Sequence, residues 1–303
     1  MLWLGGAQGN GLLAQIASTG LDQGMPLVLV REITGLNRAG ITSENPAAQV
    51  WSGPSRAGAG ALQLVILDLQ THTERQFKGG FAGLRLVGNT LAFGFDVLNY
   101  EEDTGSLAFR EQVSTFNFSA KIIDSLAWGI GSVRTSVHDA ATDQETNAIV
   151  VGVSQKIYGL FYLGIAMGNE AIEEQAAGTV EHFGRDTRMF GGGLRYQGAY
   201  RIFFEVNLVI KDDFSNSPNR DERLESLGAT LQGGYRGFLL GVSARNILYA
   251  GQFGFDQTTF DFGYSPLKSL SIGFRFSILN HGATPSATAS RQTTLSLGIT
   301  YLF

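Results

Sequence analysis

The chain has no cysteine, which removes disulfides, thiolate nucleophiles and thiolate-ligated metals at once. Charge is scarce: charged residues make up 16% of 303, against about 25% in ordinary soluble domains. Long apolar runs are missing too. The longest is Met25 to Val30, far short of the ~20 residues a membrane helix needs. No basic stripe is visible and the net charge is -5, so nothing is arranged to neutralise phosphates and no nucleic-acid partner is expected. Only 6 prolines accompany 40 glycines, and the glycines follow no collagen-like period, so their excess does not read as low-complexity disorder.

Hydrophobic residues nevertheless make up 44%, and they enter by alternation at period two, the signature of strands with one apolar face. In Arg291 to Phe303, Leu295, Leu297, Ile299, Tyr301 and Phe303 share a face, while Thr294, Ser296, Gly298 and Thr300 share the other. Leu270 to Ile278 repeats the pattern. Alternation and turn residues place about fourteen strands near 59–70, 75–87, 90–101, 107–122, 125–138, 146–157, 159–169, 187–198, 200–212, 224–236, 238–249, 257–264, 268–280 and 290–303. Tight links such as Gly88-Asn89 and Arg236-Gly237 alternate with longer polar ones, among them His138 to Glu145, Asn169 to Asp186 and Ala250 to Asp256. A sandwich has no reason to trim one end of its sheet and decorate the other. An all-β transmembrane antiparallel β-barrel does. Tyr158, Tyr200, Tyr235, Phe238, Tyr264, Tyr301 and Phe303 fall at the tight-link end, as an interfacial aromatic girdle requires.

The pattern divides the chain into an N-terminal plug or leader segment at 1–58, with no complete signal peptide, and a barrel at 59–303. Alternation aims Arg85, Asp96, Lys121, Arg195, Arg201, Glu205, Arg245, Asp261 and Arg275 into the lumen, because each would be costly in lipid. Their roles divide between ion pairs bracing the wall and a polar or anion-preferring path. Apolar positions change phase between Ile130 and Val133, which predicts a wall bulge at Gly131-Ser132. Leu27, Val28, Leu29 and Val30 form a short apolar core for the plug, and Tyr162 and Phe203 are inward wall residues placed to form a hydrophobic pocket with it. Asn45-Pro46 enforces an extended or turn geometry before Ala47. Tyr301 and Phe303, ending a regular alternating strand, form a C-terminal assembly signal for the barrel-assembly machinery.

The Gly/Ala-rich leader, Glu44 followed by Asn45-Pro46-Ala47-Ala48, and a barrel of about fourteen strands ending in Phe303 resemble the FadL-type outer-membrane transporters and the PorV-like barrels. Leu227-Gly228-Ala229 and Gly241 to Ile247 are similar to late strands of the latter group. The resemblance implies a lumenal plug and passage of hydrophobic molecules, in the transporters through a gap in the wall. Expected partners are the lipid bilayer and lipopolysaccharide, the assembly machinery, a hydrophobic ligand and an envelope protein, with both termini periplasmic. Two other readings stand beside passive transport of fatty-acid-like cargo: a scaffold barrel whose plug never opens, and a polar diffusion porin. An apolar pocket beside the plug would favour transport. A lumen sealed by ion pairs would favour a scaffold.

Catalysis and cofactors are not expected. His72, His138, His182 and His281 fall in or beside outer loops without a partner fixed by spacing. Asp212, Asp213, Asp221 and Glu222 do not match a calcium loop, so no metal site is assigned.

Overall fold

A computed structural model describes residues 45–51, 55–69, 72, 74–102, 109–139, 142–158, 161–176, 179–197, 201–213, 223–235, 238–249, 252–267, 269–281 and 290–303. A short 3-10 helix, Pro46–Trp51, precedes β1 (Arg56–Asp68), β2 (Glu74–Val87), β3 (Leu91–Glu102), β4 (Phe109–Ile123) and β5 (Leu126–Asp139). β6 (Thr142–Ile157), β7 (Phe161–Ala176), β8 (Thr179–Gln197), β9 (Arg201–Asp213) and β10 (Arg223–Tyr235) follow. The wall is completed by β11 (Phe238–Tyr249), β12 (Gln252–Leu267), β13 (Leu270–His281) and β14 (Ser290–Leu302). Every strand pairs antiparallel with its chain neighbours, and β1 pairs with β14 from Arg56↔Leu302 to Asp68↔Ser290, closing the barrel. The expected all-β antiparallel barrel is therefore the observed fold.

Closure gives each strand two addresses. On β13, Ile272 and Phe274 are exposed on the outer face, whereas Ser271, Gly273, Arg275 and Ser277 are buried in the lumen. Outward apolar residues occupy about four alternate positions per strand, as in Phe161, Leu163, Ile165 and Met167 of β7. That spans about 20 Å of strand, the order of a membrane's apolar band. At the short-turn end the rings gather as foreseen: Tyr158, Tyr235, Phe238, Tyr264, Tyr301 and Phe303 are exposed. Phe238 stacks on Tyr264 with centroids 4.6 Å apart.

At the other end the belt gives way to an outward polar collar. Asn169 Nδ2 donates to Asp186 Oδ1 at 2.9 Å, Asn246 to Asp256 at 3.2 Å, and Arg291 Nε to Asn280 Oδ1 at 3.1 Å. Asn147 and Arg134 both donate to Glu145 at 3.1 Å and hold its carboxyl below its ordinary range.

Two expectations are corrected. The loops predicted at 138–145, 169–186 and 250–256 are largely strand: β5 runs to Asp139, β6 starts at Thr142, β7 and β8 run to Ala176 and from Thr179, and β12 starts at Gln252. These segments stand beyond the lipid, where neither face has to be apolar, so the period-two signal fades although the ladder continues. The bulge at Gly131-Ser132 is also absent: β5 stays in step with β4 (Asn117↔Gly131, Phe116↔Ser132) and with β6 (Gly131↔Val150, Ser132↔Ile149). Register shifts fall instead at Lys121/Ile123, Ile247/Leu248 and Tyr264/Leu267. What changes at Ser132 is the environment. Ser132 and Arg134 still face outward but above the belt, and Val133 still faces the lumen.

Candidate functional site: a plug seat beneath an apolar lumen

The Asn-Pro-Ala motif lies inside the barrel, where Asn45, Ala47, Gln49 and Val50 are buried. Asn45 caps the 3-10 helix, its Oδ1 accepting the Ala47 N–H at 3.0 Å, and Pro46 occupies the first helical position, where a missing N–H leaves nothing unsatisfied. The other half of the same carboxamide fastens the segment to the wall. Asn45 Nδ2 donates to the Val153 carbonyl of β6 at 2.9 Å and to the Ile165 carbonyl of β7 at 3.3 Å.

So close an approach requires a bare wall. A Cβ on Gly152 would collide with Asn45 Oδ1, and one on Gly129, the register partner of Gly152, would lie 2.6 Å from the Ala47 nitrogen. Gly94 on β3 likewise makes room for the Gln49 carboxamide. Val50 packs with Ala92 and Ala127, flanked by Trp51 and Val87. The Lys121 ammonium lies 5.2 Å from the Trp51 ring centroid, within cation–π range. Asn117, Ser119 and Ser154 complete a seat of small and polar side chains. The hydroxyls of Ser119 and Ser154 are buried there without a hydrogen-bond partner.

The lumen above the seat has a different character. Phe81, Leu98 and Val113 are register partners across β2, β3 and β4. Leu64 pairs with Phe77, and Val133 with Ala148. Leu62, Leu64, Phe77, Leu98, Val113, Val133 and Val150 are all buried. All lie on lumenal positions toward the loop end of β1–β6, six of the fourteen strands, so this part of the circumference presents a largely apolar lining interrupted by the buried Glu111 of β4. The lumenal strip on β12 and β13 is mostly polar, with the buried Leu279 at its loop end opposite Gln257. Gln257 and Thr259 share hydrogen bonds with Ser277 at 3.2 and 3.0 Å, Arg275 grips Asp261 through Nε at 2.8 Å, and Ser265 meets Ser271 at 2.8 Å.

The residues expected at the site divide as follows. Arg85 and Asp96 form a buried pair at 3.5 Å, and Asp261 and Arg275 form another, so these four brace the wall. Lys121 is the fifth of the expected lumenal charges that lies among the described residues, where Glu111 and Lys156 are lumenal charges as well. Tyr162 is buried in the lumen near the short-turn end, with Lys156 Nζ 5.9 Å from its ring centroid. Leu27, Val28, Leu29 and Val30, and the side chains of Phe203, Arg195, Arg201, Glu205 and Arg245, lie outside the described residues. Among the histidines, His138 Nδ1 meets Asp143 at 2.9 Å on the exposed rim. Sequence reasoning missed Gln49 and the whole apolar lining. Gln49 had a signal, being a second carboxamide four residues after Asn45.

No protein-family model and no curated protein matches the chain. Solved structures do. The Pseudomonas putida toluene transporter TodX superposes with a TM-score of 0.51 at 12% identity, covering 86% of this chain and 92% of TodX. CymD, a monoaromatic hydrocarbon channel, gives 0.54 at 12% identity over 94% and 96%. A FadL homologue of Pseudomonas aeruginosa gives 0.58 at 10% identity over 86% and 93%. At such identities the likeness establishes architecture: the chain carries the barrel fold of the FadL-type outer-membrane channels.

Proposed function

We propose that this barrel is a passive outer-membrane transporter of hydrophobic small molecules, with the loop end outside, both termini periplasmic and the Asn45–Trp51 segment as part of its plug. The observation that carries the reading is the apolar lining of β1–β6 directly above the plug seat. A barrel passing only polar solutes gains nothing from burying Phe77, Leu98 and Val113 in its lumen. An apolar solute leaving water for such a lining gains about 25 cal/mol per Å² of its own surface. The fold's relatives named as aromatic-hydrocarbon channels support the same class of cargo. With register unbroken at Gly131-Ser132, the route runs along the lumen and past the plug rather than through the wall at that point.

The test is binding and uptake of an apolar fluorescent probe such as N-phenylnaphthylamine by the full chain in vesicles. Leu98→Gln with Val113→Gln should abolish binding while the barrel still shows its heat-dependent gel shift. Saturable binding lost in that variant supports transport. No binding by the native chain overturns it and moves the assignment to a scaffold barrel that docks an envelope partner.

A further inference from the structure

We infer that this chain has a second, plug-gated activity: with the Asn45–Trp51 segment displaced, its lower lumen becomes a water-filled pore that prefers anions. The inference rests on the plug reading above but not on hydrophobic cargo. The seat and its occupant are both partly polar, so water can take the segment's place. Asn45 and Gln49 of the segment are buried, as are Asn117, Ser119 and Ser154 of the wall, the last two with hydroxyls that make no protein hydrogen bond. Water can hydrogen-bond to these hydroxyls when the segment leaves.

Charge sets the preference. Arg85 with Asp96 and Arg275 with Asp261 cancel pairwise. Lys121 and Lys156 do not: each ammonium is held over a ring, Trp51 and Tyr162 respectively, and among the described residues neither has a carboxylate partner. Both lie near the short turns at the mouth of the seat, Lys121 two residues before Ile123 at the end of β4 and Lys156 beside Ile157 at the end of β6. Trp51 belongs to the plug segment, so undocking removes the ring that covers Lys121 and leaves both cations facing the water path. Rings of fixed cationic side chains favour anions in a narrow pore.

The experiment is planar-bilayer recording of the full chain under a KCl gradient at low ionic strength, where screening is weak. Gly152→Val, which denies Asn45 its place, and Asn45→Ala serve as undocked variants. The native chain should rest closed. Both variants should conduct with a several-fold chloride preference, and adding Lys121→Gln and Lys156→Gln should bring that preference to parity while conductance persists. Conductance that is unselective, or selective but indifferent to the lysines, overturns the proposal. So does silence from variants whose circular dichroism and heat-dependent gel shift show a folded barrel and whose plug is shown displaced by labelling of a cysteine at position 50. A barrel that conducts in this way yet takes up no apolar probe sinks the transport reading alone. One that carries the probe and never conducts sinks only this one.

Discussion

Asn45→Ala isolates the fastening of the plug. The side chain makes three hydrogen bonds: two from Nδ2 to the Val153 and Ile165 carbonyls, and one at Oδ1 from the Ala47 N–H. At roughly 1 kcal/mol net for each wall bond and a similar loss for the helix cap, the docked state should weaken by about 3 kcal/mol, roughly 100-fold in population. Because the native chain contains no cysteine, Val50→Cys supplies a single reporter at a buried plug position. Its maleimide labelling rate follows the undocked fraction when docking is fast. The rate should rise by about two orders of magnitude in Asn45→Ala. Asn45→Asp sharpens the test: it keeps an oxygen for the Ala47 N–H but turns a carboxylate toward two carbonyl oxygens, so labelling should rise at least as far. Equal labelling rates in all three backgrounds, with the barrel intact, would refute the anchoring role.

Three further outcomes follow from the wall. Ile165→Arg, in the apolar belt, should cost about 2–4 kcal/mol in urea unfolding from vesicles, whereas Asn169→Lys, in the polar collar beside Asp186, should cost at most about 1 kcal/mol; equal costs would mean the belt is misplaced. Arg275→Ala leaves Asp261 buried without its partner, a loss of about 3–5 kcal/mol that the added Asp261→Ala should largely recover. A single-variant loss below about 1 kcal/mol would instead show that the pair is already hydrated. Deleting Phe303, whose N–H closes on the Ser55 carbonyl at 3.0 Å, should lower the fraction of chain assembled in the membrane, read as the heat-dependent gel band. Unchanged assembly would remove the terminal residue from the signal.

The barrel was legible because lipid writes a strong rule on each strand: outward positions must be apolar for about four alternations. That rule alone located all fourteen strands, the aromatic girdle at Tyr235, Phe238 and Tyr264, and five lumenal charges. It could not say which charges meet. Arg85 lies opposite Gly94, not Asp96, and reaches its partner diagonally, so the pairing depends on register and reach that composition does not contain. Nor could it carry past the lipid, where β7 and β8 continue with polar residues on both faces.

The apolar lining was misread for a related reason, and the misreading shows how such a lining announces itself. On β5 the large apolar positions move from Trp128 and Ile130 to Val133, which looks like one inserted residue. The same move occurs on β2, from Leu84 and Leu86 to Phe77 and Phe81, on β3, from Phe93 and Phe95 to Leu98, and on β4, from Phe116 and Phe118 to Val113. In every case register continues unbroken, so no residue has been added. A bulge is a local accident and has no reason to recur at a similar height on four adjacent strands. A recurring change of phase means instead that lipid ends on one side of the wall while an apolar compartment begins on the other. Read that way, the sequence places the compartment on β1–β6, while the lumenal face of β12 and β13 is mostly polar apart from Leu279.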